Sequence, residues 1–252
     1  MKGGAAFPVR LEYTKRGKVR WISHRDVARA LERAFRITEL PLAFTQGFSP
    51  RPKVSFGLAL STGHESEAEY LDLEFSREVD LSTLPALITE ALPEGLAVTA
   101  AVPLAERAPA LQEIVTAVSW RVEVTRADGS PVPAGELRAH LDAGLAAASL
   151  STERRRKGRI VTEDVRPVIT QMRVLDESAD AIRPIVEMEL QTQPRGAKPG
   201  EVLAAIATAT GATAGFADAR ALRTHQWIER DGARFEPLDA DTRPRALEAR
   251  AS

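Results

Sequence analysis

With 252 residues, 44% of them hydrophobic and 27% charged, the chain is long enough for one large globular domain or two small ones. It has no cysteine, which excludes disulfides, thiolate zinc sites, cysteine nucleophiles and a cysteine-bound iron-sulfur cluster. The net charge of -1 hides a segregation: residues 1–60 carry 12 basic against 4 acidic residues, whereas residues 61–107 carry 2 against 10.

Val9, Leu11 and Tyr13 alternate with polar residues as a half-buried strand, and Arg16-Gly17-Lys18 makes a turn. Ser23 precedes Val27, Ala30, Leu31 and Ala34, the spacing of one helix face, and Asp26 is its capping partner, so a helix starts at about His24 and ends near Thr38. Leu42 to Thr45 and Lys53 to Leu58 read as interrupted strand, Leu71, Leu73 and Phe75 as a further strand, Leu84 to Leu92 as a helix, and Leu96 to Pro103 as a strand. That order is β-α-β-β-α-β. The second half repeats it more faintly: strand Val118 to Thr125, helix Gly135 to Ala148, strand material Leu150 to Lys157, paired strands Val165 to Val174 and Pro184 to Leu190, helix Pro199 to Thr210, and a weak closing strand Ala212 to Phe216. The expected fold is therefore α+β, two tandem ferredoxin-like units with antiparallel sheets. Residues 1–106 form the basic first unit, 107–218 the second, and 219–252 a partly ordered tail.

Two features of the first unit carry chemistry. Arg25, Arg29, Arg33 and Arg36 recur along the polar side of the helix, with Glu32 placed to pair with Arg36, so a guanidinium stripe faces solvent or a phosphate-bearing partner. The loop Gln46-Gly-Phe-Ser-Pro-Arg-Pro-Lys53 is stiffened by Pro50 and Pro52. In an extended chain Ser49, Arg51, Lys53 and Ser55 share one side, and Val54, Phe56 and Leu58 share the side facing the core. With Ser23, His24, Arg25 and Gln46 beside a helix N-terminus, these residues form a candidate phosphate site. Arg154, Arg155 and Arg156 are a second group able to grip phosphate. Trp21, Phe44 and Phe48 could stack on bases, but three apolar aromatics beside a helix are more often core, and the core is where they are expected. His24, His64, His140 and His225 show no metal-ligand spacing, so neither a metal nor another cofactor is expected. No apolar run approaches the roughly 20 residues of a membrane span and MKGGAAFPVR lacks a signal-peptide core, so a cytoplasmic protein is expected.

The stretches SHRDVARALERAFR and LPLAFTQGFSPRPKVSFGLALSTGHESEAEYLDLE resemble the radical-SAM-associated (radical-SAM-linked) domain family, a bacterial group, with the match close over residues 9–103 and looser through Leu111 to Val124 and Asp164-Val-Arg-Pro167. The resemblance implies a shared substrate or complex with a radical SAM protein, since the domain occurs alone or fused to one. Where the family's loop usually reads Asn-Pro-His-Pro-Lys, this chain has Ser49-Pro-Arg51-Pro-Lys53, so a cationic role at position 51 carries over and an imidazole role does not. The tandem layout is also similar to CRISPR RNA endonucleases and tandem-type pseudouridine synthases, an analogy of fold. Three functions remain open: a non-catalytic accessory protein holding RNA or another phosphate-bearing substrate for a radical SAM partner, a metal-independent RNA-processing enzyme with His24 as general base, and a structural adaptor between proteins.

Overall fold

A computed structural model describes residues 6–105, 108–156, 158–175 and 183–240. The fold is mixed α+β, with few helices and a large, mostly antiparallel sheet. The chain divides into two compact units, one holding the described residues of 1–62, 66–115 and 227–252, the other those of 63–65 and 116–226.

In the first unit the elements are β1 (Phe7–Lys15), α1 (His24–Ile37), β2 (Val54–Phe56), β3 (Glu65–Phe75), α2 (Leu84–Glu90), β4 (Leu96–Pro103) and the short α3 (Leu111–Ile114). Strands lie in the order β4-β1-β3-β2, and every neighbouring pair is antiparallel. Alternation sorts the strand residues. Val9, Leu11 and Tyr13 of β1, and Leu71, Leu73 and Phe75 of β3, bury their side chains in one core with Val27, Leu31, Ala34 and Phe35 of α1 and Leu84 and Ile88 of α2. Val54 and Phe56 pack against that core from β2. Leu31 is wholly buried, so its truncation to Ala removes contacts worth about 2–5 kcal/mol.

The other face of this sheet is polar and, around Arg10 and Tyr70, buried. Arg10 is wholly buried, donates through Nε and Nη2 to the two Asp72 carboxylate oxygens at 2.7 and 2.8 Å, and reaches the Pro237 carbonyl through Nη1 at 2.9 Å. Beside it the Tyr70 hydroxyl donates to Glu12 at 2.9 Å, and burial pushes that phenol far above its ordinary range, with Glu12 adding to the shift. The Pro237 carbonyl thus meets this face, and Ala240 is buried. Such a face is therefore not the open platform on which related sheets display basic and aromatic groups.

The second unit contains β5 (Ala117–Arg126), α4 (Ala134–Ala146), β6 (Ser151–Arg156), β7 (Arg159–Asp164), β8 (Ile169–Val174), β9 (Ile185–Gln191), α5 (Pro199–Thr210) and most of β10 (Phe216–Arg230). Its strand order is β10-β5-β9-β8, with β5 and β8 antiparallel to β9. Gly144 lets α4 approach α5, since a Cβ there would stand 2.9 Å from Ile206. Among the described residues, strands β6 and β7 pair only with each other, through Ser151↔Asp164 to Arg156↔Arg159. Of the strand material expected at Leu150 to Lys157, Ser151–Arg156 is one arm of this hairpin, and β8 takes the sheet position. The Asp164 carboxylate fixes the hairpin base by accepting from the backbone N-H groups of Leu150 at 2.7 Å and Arg166 at 2.9 Å.

Two further expectations are corrected. Residues 219–230, read as the start of a tail, continue β10, which then turns at Asp231 and Gly232 into β11 (Ala233–Phe235); residues 241–252 lie outside the described residues. Trp21, Phe44 and Phe48, read as core, are exposed to 63%, 49% and 111%. The first-unit core is filled by β1, β3, α1 and α2 without them.

Candidate functional site

Helix α1 begins where its cap dictates. Ser23 is extended, its hydroxyl accepts from the Asp26 backbone N-H at 3.3 Å and donates to the Asp26 carboxylate at 2.6 Å. That donation is the main reason the Asp26 carboxyl sits below its usual range. Arg29 also reaches Asp26, at 3.3 Å. The first turn thus carries its own carboxylate, and an incoming anion would meet Asp26 beside the free N-H groups. His24 is half-buried, its ring set edge-on against Phe56 at 5.3 Å between centroids. This contact joins α1 to β2.

Along the helix Arg25, Arg33 and Arg36 are exposed and have no side-chain partner among the described residues. Glu32 does not pair with Arg36 despite the i, i+4 spacing. The acidic stretch instead occupies cations elsewhere in the unit: Asp72 holds Arg10, Glu67 holds Arg16, and Glu74 holds Lys53 at 2.6 Å.

The proline loop is closed at its neck. Lys53 N-H donates to Ala43 O at 2.9 Å, Thr45 N-H to Arg51 O at 2.9 Å, and Arg51 N-H to the Thr45 hydroxyl at 3.1 Å, while Phe44 and Pro52 form an isolated bridge. Gly47 takes φ +133°, which a side chain rarely adopts, and so lets residues 46–50 cross the tip. Gln46, Ser49 and Arg51 are exposed there, with no side-chain partner among the described residues except the Thr45 contact to the Arg51 backbone.

Beyond the loop, Ser55 faces Asp72 and Phe56 faces Leu71 in register. Lys53 and Ser55 therefore point to the polar sheet face, where with Pro8, Asp72, Glu74 and Leu104 they line a cleft of about 350 Å³. Phe56 points the other way, to His24. The sequence grouped His24 with Lys53 and Ser55; alternation along β2 sets them on opposite faces. Of the candidates in this unit, Ser23, His24 and Arg25 stay together at the helix start, Gln46, Ser49 and Arg51 at the loop, and Lys53 and Ser55 in the cleft.

In the second unit Arg154 lies on β6 with its guanidinium 3.9 Å from Glu201 of α5. Arg155 and Arg156 stand opposite Ile160 and Arg159 in the hairpin, and their side chains lie outside the described residues. Among the described residues no three His, Asp or Glu side chains come together to hold a metal ion. Sequence reasoning weighed a displayed, base-stacking Phe48 but favoured the core, although Gly47 before it and Ser49-Pro50 after it mark a turn. Buried Lys15 was missed. Its Nζ donates to the carbonyls of Arg20 at 3.2 Å and Ile22 at 3.0 Å, holding the 3-10 turn Gly17–Trp21 that leads into α1.

Residues 9–199 match the family described as "Uncharacterized protein conserved in bacteria (DUF2344)". No curated protein matches. Among solved structures, similarity is found to a chain of a Cbf5-Nop10-Gar1 complex, with 11% identity and a TM-score of 0.47 over 86% of this chain and 48% of that one. A chain of an archaeal box H/ACA sRNP Nop10-Cbf5 complex has 11% identity and a TM-score of 0.44, over 86% and 47%. A chain of an H/ACA RNP bound to a substrate RNA containing 2'-deoxyuridine has 10% identity and a TM-score of 0.44, over 87% and 47%. The chain spans about half the length of these chains. No helix among the described residues is long and apolar enough to cross a membrane.

Proposed function

This chain belongs to the bacterial family DUF2344, and on that premise we propose that it is a non-catalytic accessory protein that presents RNA or another phosphate-bearing substrate to a radical SAM enzyme. The observation that carries the reading is a set of exposed guanidinium groups that the acids of the same unit leave unpaired. Glu67, Asp72 and Glu74 engage Arg16, Arg10 and Lys53, yet Arg25, Arg33, Arg36 and Arg51 keep no partner among the described residues. Guanidinium groups held this way match phosphate oxygens in charge and geometry. The radical SAM partner rests on the resemblance of residues 9–103. Strand orders β4-β1-β3-β2 and β10-β5-β9-β8, each interleaved with two helices, support two ferredoxin-like units as the frame. Arg154 to Arg156 belong to the same reading as a second phosphate contact.

A hydrolytic role for His24 fits this geometry less well. The imidazole packs on Phe56, and the cations that would stabilise developing charge, Lys53 foremost, project from the opposite face of β2.

The test is binding of a labelled transfer or ribosomal RNA to protein stripped of nucleic acid, measured across a salt series. Affinity should fall steeply with salt, and Arg25→Ala and Arg51→Ala should each flatten the log-log slope by about 0.7–0.9. Absence of binding, or binding indifferent to salt, overturns the RNA reading. Failure to form a complex with a purified radical SAM protein from the same source overturns the partner.

A further inference from the structure

We infer that the loop Phe44 to Pro52 is a stacking finger for unpaired nucleobases, so that the ligand is a single strand of nucleic acid rather than a duplex. The inference rests on the phosphate-binding reading above and names the form of nucleic acid that the site takes. Phe48 is exposed to 111%, and Phe44, at the neck of the same loop, to 49%. A large apolar ring wholly in water gains nothing for the fold, and a loose loop would let it collapse onto the surface. This loop is not loose. The paired 45/51 hydrogen bonds, the 44/52 bridge and two prolines hold it shut, so Phe48 is presented on a rigid support and little conformational freedom remains to be lost on binding.

The surroundings fit a base rather than an apolar protein pocket. From Leu42 to Lys53 the chain has no acidic residue. The same loop carries Arg51, Gln46 and Ser49, all exposed and none with a side-chain partner among the described residues. Aromatic rings beside a cation are how single strands are held without regard to sequence: the ring takes the face of the base and the cation takes the backbone phosphate. Inside a duplex the faces of the bases are occupied by their neighbours, and the deep, narrow A-form major groove does not admit a protein side chain to the base edges.

The experiment uses the full chain, a single-stranded RNA of about 10 nucleotides and the same sequence annealed to its complement. The single strand should bind more tightly than the duplex. Phe48→Ala and Phe48→Leu should each lose roughly 5- to 150-fold in affinity with the salt slope unchanged, and Phe48→Trp should retain binding. Since Phe48 touches no core, unchanged thermal unfolding of all three variants confirms that the loss belongs to the ligand contact. Equal or tighter duplex binding overturns the inference, as does a Phe48→Leu variant that binds like wild type. Either result, with salt-dependent RNA binding intact, leaves the phosphate-binding function standing. If the wild type binds no RNA while Phe48→Ala loses a radical SAM partner, the finger grips protein, and both readings of the ligand fall.

Discussion

Removing the negative partner of Arg10 tests the account of the first unit most directly. Arg10 has no solvent exposure, while the Asp72 side chain retains 18%. Asp72→Asn keeps the shape and one acceptor but leaves the guanidinium without a counter-charge, and truncating one partner of a buried pair costs about 3–5 kcal/mol. Because water reaches the Asp72 end, the lower value, about 3 kcal/mol, is expected. For a chain of this size each kcal/mol lowers the midpoint by about 2–4 °C, so thermal unfolding followed by circular dichroism should shift down by about 6–12 °C. Replacing both residues, Arg10→Leu with Asp72→Leu, removes the stranded charge and should recover much of the loss, leaving the missing bond to the Pro237 carbonyl as the residue of the effect. A single variant within about 2 °C of wild type would refute the reasoning, and so would a double variant less stable than the single one.

Ser23→Ala removes the cap of α1 and should cost about 1 kcal/mol, read as a lower urea midpoint. Asp26, whose folded-state pKa is depressed by the Ser23 hydroxyl, contributes stability above the ordinary carboxyl range and loses it as pH falls through the depressed value, so the same variant should flatten that acid limb. For Lys15 the slope has the same sign, in an alkaline window. Burial lowers its pKa from 10.5, so between the lowered value and 10.5 the unfolded chain binds more protons, and wild-type stability should rise with pH through that window; Lys15→Met should abolish the rise in an alkaline denaturation series.

The sequence shows α1 almost in full because three signals agree there. Ser23 and Asp26 mark the start, Val27, Leu31 and Ala34 keep the helical period, and the arginines fall on the remaining side. Strand β10 was illegible for the converse reason: several inward positions are Ala221, Arg223 and Gln226, so burial alternates while hydrophobicity does not. Arg223 lies over the Trp120 ring at 5.2 Å, a contact between distant segments that local pattern cannot foresee. The candidate phosphate residues were legible by type, but their grouping was not. Register decides which face each residue takes, and β2 spans only Val54–Phe56, with its pairing to β3 set by tertiary contacts. Phe48 was misplaced because aromatic residues are usually buried, whereas the prolines and the Thr45–Arg51 bonds hold this one outward.

The segment 236–240 also bears on how the chain is made. Pro237, which takes the third bond of Arg10, follows Val115 by 122 positions, and the intervening stretch is almost entirely the second unit. At about 5–20 residues per second, the ribosome delivers Pro237 some 6–25 s after Val115. During that interval Arg10 has only Asp72. The second unit, nearly continuous in sequence, can close as it emerges, whereas the unit that begins first is finished last. In a cell, the exposed intermediate to be guarded is a nascent chain with a folded second unit and an unsealed first one.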